Sequence, residues 1–478
     1  VIEAVLFGAF FILLFLSVPV AFALGLASIV TLVFLGGIDN LATTPSVFYA
    51  SLSSPTLLAI PFFILAGVIM EYAGISKRLI DLADACVGHR KHGLAMVVII
   101  AAFFFSAISG SGPATVAAIG AILIPALVRN GYFKHDAAAM LASAGSMGII
   151  IPPSITLIIF GVVASDYERV SIARLFMAGV VPGFLMALAL YIAARTVPRI
   201  AATRVPAPVP VGGAAGHGLG GSGGSAGLFI DGTPHSGEAD EIEKLSAHAT
   251  HQRGRASLQD VGARFVHAIP GLLVPVIILG GIYGGIFTPT ESAVVAAFYA
   301  LVVGLFFYRE IKVGHIGRIF ISAAVQSSVV MIIVGCASIF AYIITAERIA
   351  RRMSDAILGI TDNGIVIMFL VVVLLLIAGA FIDAISALFL FIPIFVPILL
   401  SVGYDITTIG IMMTVNLAIG LITPPVGVNL FVAAGIAKSP LTQVAKGIVP
   451  FLIASLVVLL LIAFIPGLSN WLPDLLGM

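Results

Sequence analysis

The chain has 478 residues, of which 60% are hydrophobic and only 9% charged, with a formal net charge of +1. This balance describes an integral membrane protein and excludes a nucleic-acid binder, for which there is no basic footprint. The two cysteines, Cys86 and Cys336, lie in unrelated segments, so neither a disulfide nor a metal site built on thiols is expected.

The first apolar run follows Val1-Ile2-Glu3 rather than a basic segment, and no small-residue cleavage motif comes after it, so no cleaved signal is expected. Apolar runs place spans at residues 3–17, 19–36 and 55–73. Residues 76–90 set Leu79, Leu82, Ala83, Cys86 and Val87 at helical spacing against Lys77, Arg78, Asp81 and Asp84, as in a helix lying in the membrane interface. From 93 to 128 the chain is nearly all apolar except for Ser109-Gly-Ser-Gly-Pro113, a polar break between two arms of about sixteen residues, each ~24 Å long. Arms that meet at such a tip enter the membrane and return, provided that protein or a water-filled cavity receives the exposed backbone. The segment therefore reads as a re-entrant helical hairpin. A run broken at Pro152-Pro153 (137–164) and a span at 174–194 follow.

Residues 196–263 differ in kind, being Pro-rich, then Gly/Ser-rich, then polar, and read as a flexible linker with room for a short helix from Glu238 to His251. Apolar runs resume at 268–286, 290–308 and 319–345, followed by an amphipathic stretch at 347–360. A second apolar pair breaks at Gly379-Ala-Phe-Ile-Asp383, another run breaks at Thr423-Pro424-Pro425, and a last span covers 446–465.

The two series share a register. An offset of 272 carries Pro125 to Pro397, Gly131-Tyr132 to Gly403-Tyr404, Gly148 to Gly420, and Pro152-Pro153 to Pro424-Pro425. Each half then has three spans, an interfacial helix, a hairpin, a broken span and a final span. Five crossings per half is odd, so the second half is expected upside down relative to the first, as in the inverted repeats of secondary transporters. The expected fold is all-α and polytopic, with a first repeat at 1–195 (scaffold 1–92, hairpin and broken helix 93–194), the linker, and a second repeat at 264–478 (scaffold 264–363, hairpin and broken helix 364–465). With the amino terminus outside, 18 of the 23 lysines and arginines fall on the inner side and 5 on the outer. This orientation puts the linker in the cytoplasm.

No lysine or arginine falls inside an expected span interior, so the chemistry rests on helix ends and hydroxyls. Helices that begin after Pro152-Pro153-Ser154 and Pro424-Pro425 have unpaired first-turn amides and a positive dipole end, suited to anionic groups. Unwound carbonyls before the breaks, with the hydroxyls of Ser109, Ser111, Ser146 and Thr423, are hard oxygen ligands of the kind sodium takes. The plainer alternative is that Pro-Pro only kinks a packed helix and that the serines bond to backbone. Asp383, the sole carboxylate expected deep in the membrane, either helps bind a cation or caps the helix that follows. Thr288-Pro-Thr-Glu291 reads as a capping box, which makes Glu291 structural. No G-x-x-x-x-G-K-[ST] or H-E-x-x-H occurs, and no histidine lies in a span interior, so ATP hydrolysis and intramembrane proteolysis are not expected; the chain reads as a non-enzyme without cofactor.

Ser109-Gly-Ser-Gly-Pro-Ala-Thr115 with Ile124-Pro-Ala126, Ile151-Pro-Pro-Ser154, Gly284-Gly-Ile-Phe-Thr-Pro-Thr-Glu291 and Leu421-Ile-Thr-Pro-Pro-Val-Gly-Val428 together resemble the large membrane subunit of tripartite ATP-independent periplasmic (TRAP) transporters. The resemblance implies a sodium-driven importer of organic acids, chiefly carboxylates, in the bacterial inner membrane. It also implies a small four-helix membrane subunit and a periplasmic substrate-binding protein as partners, and an elevator motion of residues 93–194 and 364–465. Sodium would then meet Ser109, Gly110, Ser111, Gly112, Ser146, Ile151, Gly379, Asp383, Gly420 and Thr423. Substrate would meet Pro113, Thr115, Pro152, Pro153, Ser154, Ser386, Pro424, Pro425 and Asn429. The long linker departs from the family pattern. A stand-alone dicarboxylate symporter of related fold, and a channel or non-transporting scaffold, are the alternatives.

Overall fold

A computed structural model describes residues 1–90, 92–198, 257–359 and 361–478, and among them the regular structure is helical throughout. Two apolar helices, α1 (Ile2–Phe15) and α2 (Val20–Gly36), pack on each other. After a short helix α3 (Thr44–Leu52), α4 (Ala59–Tyr72) bends by 65° into the amphipathic α5 (Ile75–Val87). Arg78 secures that bend, because its Nη1 donates to the carbonyls of Gly74 at 2.9 Å and Ala73 at 3.3 Å, just past the end of α4. The first hairpin is α6 (Gly93–Ser109) and α7 (Gly112–Arg129). The broken run is α8 (Lys134–Ser146) and α9 (Ile155–Ala164), and α10 (Ile172–Ala194) closes the half.

The second half repeats this order. It contains α11 (Leu258–Tyr283), α12 (Pro289–Val302) with a π turn at 303–307, α13 (Val313–Ala346) and the amphipathic α14 (Ile349–Leu358). The second hairpin is α15 (Gly364–Gly379) and α16 (Ala384–Ser401), and the broken run is α17 (Ile406–Gly420) and α18 (Val428–Ala437). The chain then runs through α19 (Leu441–Gly447), α20 (Val449–Phe464) and α21 (Gly467–Leu475).

Contacts recur in matched pairs. α1 packs on α2 as α11 does on α12, and α2 packs on α13 as α12 does on α4. The post-break helices cross over: α18 lies on α7 and α8, and α9 lies on α16 and α17. Each interfacial helix is tied to the other half as well, with Arg264 Nη1 of α11 donating to the Asp81 carbonyl of α5 at 3.1 Å and Arg352 of α14 pairing with Glu3 of α1 at 2.9 Å. The second arm of each hairpin lies deeper than the spans, whereas α15 leaves Ile365, Phe369 and Ile377 exposed. Of the most apolar stretch of α16, 72% is buried, and of α7 50%, against 33% to 44% for α10 to α13, whose remaining surface is apolar enough to face lipid.

Three features depart from the reading of the sequence. Residues 258–263, expected in the linker, open α11, because Ser257 accepts from the Asp260 amide at 3.0 Å and the Asp260 carboxylate accepts from the Ser257 amide at 3.3 Å, a capping box. The rest of the linker from 199 to 256, with its proposed Glu238–His251 helix, lies outside the described residues. Helix α3 takes residues that the sequence left between spans. Helix α21 was not expected, and it holds a polar clasp: Arg174, in the first turn of α10, donates to Thr407 Oγ1 and Asn470 Oδ1, each at 3.2 Å, to Asp474 Oδ1 at 2.6 Å, and to the Met478 carbonyl. Asn470 in turn donates to Asp405 Oδ2 at 3.0 Å, beside the start of α17.

Since one guanidinium joins α10, α17 and α21, Arg174→Ala should lower the stability of the purified protein by about 1–2 kcal/mol, with the exposed Asp474 pair supplying the smaller share. Arg174→Lys should recover less than half, because a single ammonium does not reach all of these acceptors. Thermal unfolding in detergent measures both.

Candidate functional site

At the first tip, α6 ends at Ser109 and Gly110 takes φ +61°, a left-handed conformation that glycine adopts without penalty. Ser111 is extended, and α7 starts at Gly112 with Pro113 in its first turn. The tip is knitted by its own hydroxyls: Ser109 Oγ lies 2.8 Å from Thr115 Oγ1, which donates to the Ser111 carbonyl at 2.8 Å. Ser111 is half-buried, and its hydroxyl has no partner among the described residues.

The first break runs from a 3-10 turn at Met147–Ile149 through Ile151 and the cis Pro152-Pro153 bond to Ser154, whose Oγ donates to the Ile149 carbonyl at 2.6 Å. Ser146 is likewise spent, on the Ser143 carbonyl at 2.7 Å. Tip and break touch through backbone. A methyl group at Gly148 would sit 2.6 Å from the Ser111 carbonyl oxygen, and one at Gly110 3.1 Å from that of Pro153.

The second break leaves α17 at Gly420 and re-enters helix after the cis Pro424-Pro425 bond and Gly427. Thr423 Oγ1 donates to the Ile419 carbonyl at 2.7 Å. Asn429, on the first turn of α18, is fully buried, and its Nδ2 donates across to the Ala142 carbonyl of α8 at 3.2 Å, while its Oδ1 has no partner. Gly112 of the first tip lies against that same amide, since a methyl there would meet Asn429 Oδ1 and Nδ2 at 3.2 Å. The second tip presses on this break as the first does on its own. A methyl at Gly420 would stand 2.7 Å from Gly379, and the Val426 amide donates to the Ala380 carbonyl at 3.2 Å.

Asp383 caps α16. Its Oδ2 accepts from the Ser386 amide at 3.0 Å and its Oδ1 from the Ser386 hydroxyl at 2.7 Å, so the capping alternative is the one the structure displays. Glu291 forms the expected capping box at the exposed start of α12, where the Thr288 amide donates to Glu291 Oε2 at 2.8 Å and the Glu291 amide to Thr288 Oγ1 at 3.2 Å.

The structure thus brings the proposed residues into a chain of contacts running from first break to first tip to second break to second tip. Most of their hydroxyls are engaged with local carbonyls. What stays uncommitted is the Ser111 hydroxyl, Asn429 Oδ1, and the first-turn amides of α9, which carry no side-chain cap; in the first turn of α18 the Asn429 amide donates to the Leu421 carbonyl at 3.0 Å and the Leu430 amide to that of Gly427 at 2.8 Å. These are two neutral oxygens beside two positive helix ends, an arrangement able to take a cation and an anion side by side. The two breaks differ in exposure: Pro152 and Pro153 are buried, whereas Pro424 and Pro425 are exposed.

Residues 7–468 match the model of the tripartite ATP-independent periplasmic transporter, DctM component. The chain is 41% identical, over 97% of its length, to the isethionate TRAP transporter permease protein DctMQ of Oleidesulfovibrio alaskensis, of which it spans only 65%. It is 37% identical to the C4-dicarboxylate TRAP transporter large permease protein DctM of Pseudomonas aeruginosa, over 88% of this chain and 87% of that one. Against the sialic acid TRAP transporter permease protein SiaT of Haemophilus influenzae the identity is 33%, over 97% of this chain and 67% of the other. Among solved structures, the YdaH transporter of Alcanivorax borkumensis aligns with a TM-score of 0.57 at 17% identity, over 92% of this chain and 90% of that one, which is a likeness of fold. With its family model matched nearly from end to end and its polytopic helical fold shared with transporters, the chain belongs to the DctM family of TRAP transporter large permeases.

Proposed function

We propose that the chain is the transport subunit of a sodium-coupled importer of small organic anions, with its hairpins and broken helices moving as one body against the scaffold in an elevator motion. The observation that carries this reading is the meeting of two helix starts, that of α9 with its first-turn amides free, with two uncommitted oxygens, Ser111 Oγ and Asn429 Oδ1, where the tips and breaks contain no lysine or arginine. Sodium sits against the tip and break oxygens, and the substrate's acid group against the ends of α9 and α18. The names of the similar permeases, which specify isethionate, C4-dicarboxylates and sialic acid, point to an acid-bearing substrate. Its partners are a small membrane subunit and a periplasmic binding protein. The exposure of Pro424 and Pro425 favours entry to the site from the side of the second break.

The paired order of elements and their matched contacts support an inverted repeat in the inner membrane, with the amino terminus periplasmic and the linker cytoplasmic. Cysteines introduced at Ser222 and Asn40 should then label from opposite faces of intact cells with a membrane-impermeant maleimide. Labelling from the same face would reject the inverted count.

Uptake by the reconstituted complex should need a sodium gradient and a loaded binding protein, and replacing sodium with potassium should abolish it. Ser111→Ala should raise the sodium concentration for half-maximal uptake about fivefold, the weight of one oxygen contact of ~1 kcal/mol. Glu291→Gln, remote from the site, should leave that concentration unchanged and lower stability by about 1 kcal/mol. Unchanged sodium dependence in Ser111→Ala, with coupling lost in Glu291→Gln, would refute the assignment. Uptake by the chain without its partners would favour the stand-alone symporter.

A further inference from the structure

Where α4 bends into α5, a cavity of about 220 Å³ is lined by Lys77, Arg78, Asp81, Arg264, His267 and Glu310. It is built by α5, the second turn of α11, and the turn that leaves α12, and it is separate from the tips and breaks. Much of its charge is already engaged. Arg78 Nη2 pairs with Glu310 at 3.1 Å, and the Arg78 guanidinium lies 3.7 Å over the Tyr308 ring. Arg264 is bonded to the Asp81 carbonyl. One turn along from Asp81, burial pushes the Asp84 carboxyl up, against the pull of Arg264 and with a smaller push from Asp81.

Lys77 differs from these. It is half-buried, and neither its ammonium nor the His267 ring has a hydrogen bond or ion pair among the described residues. The unpartnered groups of the cavity are therefore an ammonium and an imidazole, while the Glu310 carboxylate is taken by Arg78 and Asp81 has an interaction of its own, and the ammonium calls for an anion. Next to the lining residues in the chain, Phe265 and Val266 on α11 are 50% and 62% exposed, and Phe306 and Phe307 in the turn after α12 are 69% and 72% exposed. A pocket between helices that offers unpaired donors, next to a lipid-facing apolar surface, matches a phospholipid, with its phosphate inside and its chains along the rim.

We infer that this cavity is a binding site for the headgroup of an anionic phospholipid, whose phosphate is held by Lys77 with His267 and whose acyl chains lie along Phe265, Val266, Phe306 and Phe307. A lipid seated there ties α5 to α11 at the joint through which the first hairpin hangs from α4. Headgroup occupancy thus sets how stiffly that joint is held.

Native mass spectrometry of the purified, delipidated full chain tests this with phosphatidylglycerol, phosphatidylcholine and inorganic phosphate as probes. Wild type should retain phosphatidylglycerol about fivefold more tightly than phosphatidylcholine. Lys77→Gln should erase that preference, whereas Lys77→Arg and the exposed control Lys446→Gln should keep it. Because Lys77 leaves no partner unpaired when it is removed, all three variants should melt with wild type. Equal retention of the two lipids by wild type, or an undiminished preference in Lys77→Gln, overturns the site. Displacement of phosphatidylglycerol by equimolar inorganic phosphate overturns the lipid as its occupant.

Discussion

Backbone rests directly on backbone where the hairpin tips meet the broken helices, and only glycine permits that approach. At Gly148 a single methyl would fall 2.6 Å from the Ser111 carbonyl oxygen, and at Gly420 2.7 Å from Gly379, well inside van der Waals contact. An irregular segment inside a membrane is tolerated only where protein or a watery cavity receives its unpaired groups. Here each tip is received by a break and each break by a tip, so four irregular segments shield one another. The positions of Ser111 and Asn429 follow from that packing. Neither lies on an ordinary span, and both are fixed by how closely two backbones approach.

The same packing makes the two halves interdependent. Helix α18 starts at the second break yet lies on α7 and α8 of the first half, and α9 lies on α16 and α17. The Asn429 bond to the Ala142 carbonyl pins this crossing at its polar end. Pulling either half away would strip apolar surface from both hairpins and leave the breaks without cover. The scaffold helices α2, α4, α12 and α13 also pack among themselves, and α13 packs on α16 and α4 on α6 as well.

Much of this was legible in the sequence because the repeat preserves what backbone geometry requires. Glycine at 148 and 420, and proline pairs at 152–153 and 424–425, stand one offset apart since no other residues suit those places. The first hairpin, expected at 93–128, spans Gly93 to Arg129 in the structure. The clasp around Arg174 was invisible, as its acceptors lie 233 to 304 residues away and α21 is a short amphipathic segment that periodicity hardly distinguishes from a loop. The start of α11 carries a capping signature in Ser257 and Asp260, but it lies in a stretch whose polar composition reads as linker. Which hydroxyls are free was also beyond reach. Ser109, Ser146, Ser154 and Thr423 each find a local carbonyl or neighbouring hydroxyl while Ser111 does not, a difference decided by angstroms and not by residue type.

The absence of a basic side chain from both tips and both breaks bears on how coupling would arise. A lysine at a tip would hold a carboxylate whether or not sodium were present, and the anion could then cross alone. A helix end contributes up to ~2 kcal/mol, whereas taking an ion out of water costs several. Helix ends and hydroxyls therefore fall short for an anion by itself, and short for a cation by itself. When both occupy adjoining positions, each lowers the burial cost of the other, and the deficit closes only for the pair. On the proposed reading, then, the dependence of substrate on sodium needs no dedicated latch, because it follows from leaving the site without a fixed positive charge.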